Sequence, residues 1–234
     1  MKRVTYLSRI VSVFIILLTY ILPVKAQMNE SPISIGADLV SRYVWRGTDY
    51  GKSPSIQPYM EAGIGDFAIG VWGAYSTNQW EPQEMDIYFN YTFNDMVTIG
   101  FFDYFFPAEF SGYDYFDYAN DSSGHIFEAY ATFNGLENIP VSALFGVNLY
   151  GDSNNSLYVE LGYSFSILDL FVGMGNGFYT VEDPGKPDKF GVVNVGISAS
   201  KEVPVTDKYA IPISASLITN PNAKAVYLVF GISF

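Results

Sequence analysis

Residues 84–93 read EMDIYFNYTF, and their alternation decides the fold. Met85, Ile87, Phe89, Tyr91 and Phe93 fall on one phase, and Glu84, Asp86, Tyr88, Asn90 and Thr92 on the other. Successive side chains of a strand point to opposite faces, so this pattern reads as a strand with one wholly apolar face. SLYVELGYSF at 156–165 repeats it, with Leu157, Val159, Leu161, Tyr163 and Phe165 against Tyr158, Glu160, Gly162 and Ser164. IFEAYATF at 126–133 sets Phe127, Ala129, Ala131 and Phe133 against Glu128, Tyr130 and Thr132. The last strand-like segment places Val226, Leu228, Phe230, Ile232 and Phe234 on one phase.

Working outward from these segments gives twelve candidate strands, near 33–43, 54–64, 66–76, 84–94, 96–106, 125–134, 140–150, 156–166, 167–177, 189–201, 208–219 and 224–234. The connections alternate in length. Those at 44–53, 77–83, 107–124, 151–155, 178–188 and 220–223 are mostly long. The others are tight, apart from EVPVTD at 202–207. An even number of strands of about ten residues, with long loops at one end and short turns at the other, describes a transmembrane barrel. In lipid no strand edge can stay unpaired, so the last strand must meet the first. The expected fold is therefore all-β: a single antiparallel transmembrane β-barrel over residues 27–234. A soluble β-sandwich also alternates. Against it, the polar phases here are rich in Gly, Ser and Tyr, and the apolar phases end in aromatics. In 96–106, MVTIGFFDYFF, both phases are apolar, Asp103 alone sets the register, and a bulge is expected there.

The first 26 residues differ from the rest. Lys2, Arg3 and Arg9 give a basic start, an apolar run follows from Ile10 to Leu22, and Val24 and Ala26 stand at the small-residue positions of a cleavage site. This pattern is a secretory signal peptide over 1–26; the apolar run is shorter than the ~20 residues of a spanning helix. Removing it takes four basic residues and no acidic one, leaving 8 basic against 24 acidic side chains, a net charge of −16. A chain so acidic has no surface for nucleic acid. With no cysteine, an exported chain has neither a disulfide framework nor a lipid-modified Cys anchor.

Charges on the lipid face would cost up to about 4 kcal/mol each at mid-depth, more for Arg than for Asp or Glu, which assigns them to the bore. The expected pore-lining residues are Asp38, Arg42, Glu61, Asp86, Asp103, Glu128, Glu160 and Asp169, with Glu84 on the same phase. An interior so acidic favours cations or neutral polar solutes. A barrel of about eight strands is filled by its own side chains, while about 16 leave a water channel; twelve lie between, so both a narrow pore and a plugged bore are open. Tyr43 and Tyr75 are the expected aromatic girdle at the outer rim, and Phe93, Phe133, Phe165 and Phe234 at the periplasmic rim. Arg46 is expected at lipid phosphate or as a loop cap.

Two other chemistries have candidate residues in the sequence. His125, the sole histidine, follows NDSSG, so Ser122, Ser123 and Asp121 lie nearby, as in a barrel lipid hydrolase or acyltransferase. A nucleophile–base pair also needs an orienting group and an oxyanion site, and no catalytic residue is assigned. The loop PAEFSGYDYFDYANDSSG carries Glu109, Asp114, Asp117 and Asp121. They could take a hard cation, but the spacing fits no EF-hand, so no metal and no cofactor is expected. That loop is long enough to enter and constrict the bore. VEDPGKPD at 181–188 reads only as a turn-rich loop.

The chain resembles the TorF-type family of outer-membrane porin-like barrels, through SRYVWRG at 41–47, PSIQPYMEAGIGDFAIGVWGAYS at 54–76, EMDIYFNYTF at 84–93 and SLYVELGYSF at 156–165. The resemblance implies the barrel fold and a location in the outer membrane of a Gram-negative bacterium after Sec export. It also implies passive diffusion of small polar or cationic solutes. Expected partners are outer-membrane lipids and lipopolysaccharide, those solutes, and the barrel-assembly machinery, which would read the strand ending in Phe234. The alternative is a closed barrel with a structural or surface-binding role.

Overall fold

Strands whose apolar phase is continuous need a partner on both edges, and a single sheet provides this only by closing. The computed structural model describes residues 32–78, 83–107, 114–119, 123–136, 138–181, 189–207 and 209–234. The leader over 1–26 lies outside them, as do Glu109, Asp121, Ser122 and most of 181–188.

The strands are β1 (Ile33–Val40), β2 (Val44–Trp45), β3 (Thr48–Asp49), β4 (Ser55–Ile64), β5 (Phe67–Ser76), β6 (Glu84–Phe93) and β7 (Val97–Phe105). They continue as β8 (His125–Phe133), β9 (Val141–Tyr150), β10 (Leu157–Ser164), β11 (Asp169–Gly175), β12 (Gly191–Thr206), β13 (Tyr209–Asn220) and β14 (Ala225–Ser233). All but β2 and β3 form one antiparallel barrel of twelve strands in which each pairs with its chain neighbours. The seam joins β14 to β1 through Asp38↔Ser233, Leu39↔Ile232 and Val40↔Gly231. Phe234 extends it by exchanging backbone hydrogen bonds with Ala37 at 3.0 and 3.2 Å.

Burial follows the alternation. On β6, Glu84 and Asp86 are buried while Ile87, Phe89, Tyr91 and Phe93 are exposed on the outside. Ile35 at 74% and Leu228 at 73% exposure show the extreme of an outward phase that is apolar almost throughout. Carboxylates and amides are inside, the inverse of a soluble protein.

Three features differ from the sequence reading. EVPVTD is no loop: β12 runs to Thr206 and pairs with β13 almost to its end, with a register shift between Pro204 and Thr206. Pro204 suggests a break, but β11 pairs with β12 only as far as Ser198, so Pro204 lies on an edge, where its missing N–H costs no ladder bond. β7 carries no bulge against β6 or β8. The shift falls instead between Phe127 and Glu128, where β8 meets β9, and another between Gly173 and Met174. Finally, the first long loop contains the hairpin β2–β3, which the alternation did not announce.

The Gly and Tyr content of the inward phase has a geometric cause. Gly36 faces Tyr59, Gly70 faces Tyr88, Gly100 faces Tyr130 and Gly196 faces Phe171 across neighbouring strands. A Cβ at Gly100 would sit 2.5 Å from the Tyr130 ring, and one at Gly70 would sit 2.4 Å from that of Tyr88. Each ring lies over the spot its glycine leaves empty. Gly100→Val should therefore drive the Tyr130 ring off the wall and lower stability by about 1–3 kcal/mol. Urea unfolding of vesicle-refolded protein measures the loss, and a Tyr130→Ala background should remove most of it.

Candidate functional site in the bore

The site begins with four residues, Trp45-Arg46-Gly47-Thr48. Val44 pairs with Asp49 and Trp45 with Thr48, and the two residues between them have positive φ, 48° at Arg46 and 79° at Gly47. A two-residue turn with both φ positive matches the twist of a tight hairpin. Gly47 has no substitute: a Cβ there would stand 1.9 Å from the Val193 carbonyl oxygen. The Gly47 carbonyl accepts a hydrogen bond from Asn220 Nδ2 at 3.1 Å, tying the hairpin tip to β13.

The hairpin lies across the bore rather than outside it. The Trp45 ring packs edge-on against Tyr104 of β7 at 5.4 Å and tilted against Tyr179 at 5.9 Å. Tyr179 belongs to a 3₁₀ turn, Gly177–Tyr179, in the loop before β12. The Arg46 guanidinium stands over the rings of Trp45 at 4.3 Å and Tyr158 at 4.5 Å. It also binds Glu128 of β8 with two nitrogens, Nη2 donating to Oε1 at 2.9 Å and Nη1 to Oε2. The two side chains are 8% and 0% exposed. Glu128 further accepts from the hydroxyls of Tyr104 at 3.2 Å and Tyr179 at 3.0 Å. Burial opposes the guanidinium charge, but Glu128 more than offsets it and holds Arg46 above its ordinary range. Room for the carboxylate comes from Gly146, where a Cβ would lie 2.8 Å from Glu128 Oε2.

Beside this pair, Tyr43 packs on Tyr50 and Trp72 at 5.5 and 5.4 Å, next to Glu84 and Asp86. Burial, with those carboxylates, raises the Tyr43 phenol well above its usual value, and burial with Glu84 raises Tyr50. Asp86 is 2% exposed and its Oδ1 has no hydrogen-bond partner among the described residues.

The expected residues divide accordingly. Asp38, Glu61, Asp86, Glu128, Glu160 and Asp169 share the inward phase: Asp38 faces Gln57, Glu61 faces Gly70, Asp86 faces Trp72 and Asp169 faces Ser164. Glu160 accepts from Asn194 Nδ2 at 2.7 Å and from the Tyr158 hydroxyl. Arg42 follows β1 and pairs with Asp49 of the hairpin. Tyr75, Phe93, Phe165 and Phe234 are exposed on the outward phase, and Phe133 shares it, opposite Val97.

Four placements are corrected. Asp103 does not line the bore: it stands opposite Ile87 and Phe127 on the outward phase. There its Oδ1 meets His125 Nδ1 at 2.6 Å. Tyr43 is no rim residue but lies inside, against Trp72. Arg46 meets Glu128 instead of lipid phosphate or a cap. The described part of the acidic loop, residues 114–119, folds over the outer wall rather than into the bore.

That outer cover is specific. His125 is fully buried, its Nε2 lies 2.7 Å from the Tyr115 carbonyl, and its ring stacks on Tyr118 at 4.3 Å. A carbonyl only accepts, so Nε2 carries the proton, and one further proton joins Nδ1 to Asp103. The Ser123 hydroxyl accepts from the His125 backbone N–H at 3.1 Å, a turn contact rather than a nucleophile facing a base. Asp114 and Asp117 each accept from a backbone N–H two residues on, closing local turns.

A family model described as "Bacterial protein of unknown function (Gcw_chp)" matches residues 26–210. The chain belongs to that family. The Gcw_chp match spans β1 to β12 and so includes the hairpin, Glu128 and the inner-wall glycines. The porin label implied by the TorF-type resemblance is not part of its description. No curated protein matches the chain.

The sequence reading missed the hairpin because its strands are two residues long, too short for alternation to register. Its one local signal was the X-Gly turn between Trp45 and Thr48. Arg46→Ala should cost about 3–5 kcal/mol, since it leaves the Glu128 charge buried without its countercharge, with only the Tyr104 and Tyr179 hydroxyls donating to it. Adding Glu128→Gln should recover most of that. Urea midpoints of the single and double variants measure both, and protease cleavage within 41–54 should rise in the single variant first.

Proposed function

We propose that this chain is an outer-membrane channel for small cationic or neutral polar solutes, shut at its outer end by the β2–β3 hairpin. The observation that carries the reading is one ion pair, Arg46–Glu128, pinning a single hairpin across a bore whose barrel strands present acidic residues inward. Below the hairpin the inward face carries Ser, Gly, Thr and Tyr together with the carboxylates Glu61, Glu160 and Asp169, and among the described inward residues of the barrel strands there is no Lys or Arg. Such a lining attracts cations and repels anions.

Placement in the outer membrane rests on the exposed apolar outward phase, the long-loop and short-turn ends, and the aromatics Phe93, Phe133, Phe165 and Phe234 at the short-turn end. With the leader removed on export, the short turns face the periplasm and the long loops the lipopolysaccharide. In this reading Phe234 ends the strand that the barrel-assembly machinery takes up. The TorF-type resemblance supports the same assignment.

A second reading, a permanently shut barrel with a structural role, draws on the number of groups that converge on Glu128. Planar-bilayer recording separates the two. The wild type should be silent for most of the record with rare openings, and Arg46→Ala should open in frequent discrete steps. In a potassium chloride gradient its reversal potential should have the sign of cation preference. A folded Arg46→Ala barrel that stays silent supports the shut barrel, and anion preference defeats the proposed selectivity.

A further inference from the structure

Of the carboxylates, lysines and arginines in the described barrel strands, only Asp103 and Lys201 stand on the outward phase. Asp103 is paired with His125 under its cover. Lys201 of β12 is exposed and, among the described residues, meets no carboxylate. It stands opposite Ile213, which stands opposite Ile232, so it lies one step along the wall from the short-turn end that Phe234 marks. Toward the long loops the next outward row is Ala199, Ala215 and Phe230, and the row after it is Ile197, Leu217 and Leu228. Two alanines between rows of bulky side chains leave a depression of about 200 Å³, bordered by Lys201, Ile213 and Phe230. On the side away from β13, β11 pairs with β12 only as far as Ser198, so no strand closes the depression there.

We infer that the outer wall at Lys201 binds an anionic glycerophospholipid of the leaflet at the short-turn end, with its phosphate on the Lys201 ammonium and the start of an acyl chain over Ala199 and Ala215. A lysine stem is apolar and its head a compact charge, so on a lipid-facing wall the stem lies along the protein and the ammonium reaches the head groups. There it meets phosphate, the charge it lacks within the chain. Glu202, its neighbour in sequence, falls on the opposite phase, facing Pro212, and does not neutralise it. A zwitterionic lipid carries an ammonium of its own that competes for the phosphate, so an anionic head group gains more. The depression receives the part of the ligand that an isolated surface lysine would leave unheld. The site rests on the outer-membrane placement proposed above, which puts lipopolysaccharide at the other end of the barrel, and adds the lipid class that this wall selects.

The chain has no cysteine, so a bimane label can be placed at Val203→Cys, the next outward residue of β12, and for reference at Val97→Cys, near the short-turn end of β7. The barrel is refolded into phosphatidylcholine vesicles containing a minor fraction of either phosphatidylglycerol or phosphatidylcholine brominated near the head-group end of its chains. At Val203→Cys the brominated phosphatidylglycerol should quench as if enriched about three- to fivefold over the brominated phosphatidylcholine, and at Val97→Cys the two should quench alike. Lys201→Gln should abolish the preference and Lys201→Arg should keep it. Ala215→Leu, which fills the depression and leaves the charge, should remove part of it. Heat-dependent gel mobility confirms that each variant is folded. Equal quenching by the two lipids at Val203→Cys, or a preference that survives Lys201→Gln, overturns the site. A preference that Ala215→Leu leaves intact overturns the role of the depression. Quenching by both lipids without preference removes the site and leaves the membrane placement, whereas no quenching at either label defeats the placement itself.

Discussion

Everything in this molecule follows from a sheet that closes on itself and an outside that is apolar almost throughout. Once β14 pairs with β1, each of the twelve strands has both neighbours, and period two leaves only two places for a side chain. The outward places are apolar almost throughout, so carboxylates, amides and hydroxyls are driven into the bore. Lys201, opposite Ile213, is an exposed exception, and the covered one is instructive. Asp103 sits on the outward phase, and it is tolerated because His125 shares a proton with it and Tyr115 and Tyr118 cover the pair. An unpaired carboxylate in that position would carry the full desolvation cost.

Driving polar groups inward creates a second problem, that of filling the bore. The lower half solves it along the wall: an aromatic on one strand lies flat over a glycine on the next, covering backbone without projecting into the lumen. The upper half solves it with the hairpin. Arg46 occupies a left-handed conformation, which costs a non-glycine residue about 1–2 kcal/mol. Desolvating it beside Glu128 costs more, and a buried ion pair is seldom a net source of stability. What the pair supplies is position. A bidentate guanidinium–carboxylate contact fixes both the distance and the plane of approach, so the hairpin has one seat.

The barrel was legible because its signal recurs along most of the strands. EMDIYFNYTF and SLYVELGYSF each fix their phase independently, and closure follows from the edges. The candidate site was legible only in part. Glu128, Asp86 and Glu61 follow from the same phase rule, since they sit on clearly alternating strands. Asp103 does not, because MVTIGFFDYFF is apolar on both phases and its one charge sits outward under a cover on the outer wall. Arg46 was misread for a different reason. It lies in a loop, and a loop residue's destination depends on tertiary contacts with Glu128, Tyr158 and Tyr179, all more than 80 positions away. EVPVTD, expected as a connection, is strand because β12 goes on pairing with β13 past the end of β11, where Pro204 costs no ladder bond.

The claim on which the rest stands is that alternate residues of a strand face hydrocarbon and bore. The chain has no cysteine, so single cysteines can be introduced along β14 and spin-labelled in lipid vesicles. Labels replacing Val226, Leu228, Phe230 and Ile232 should be relaxed by oxygen dissolved in the bilayer and shielded from a water-soluble nickel complex. Labels replacing Tyr227, Val229 and Gly231 should show oxygen access lower at each step. A trace with no period of two, or with Leu228 and Phe230 reached by the nickel complex and not by oxygen, would contradict the account.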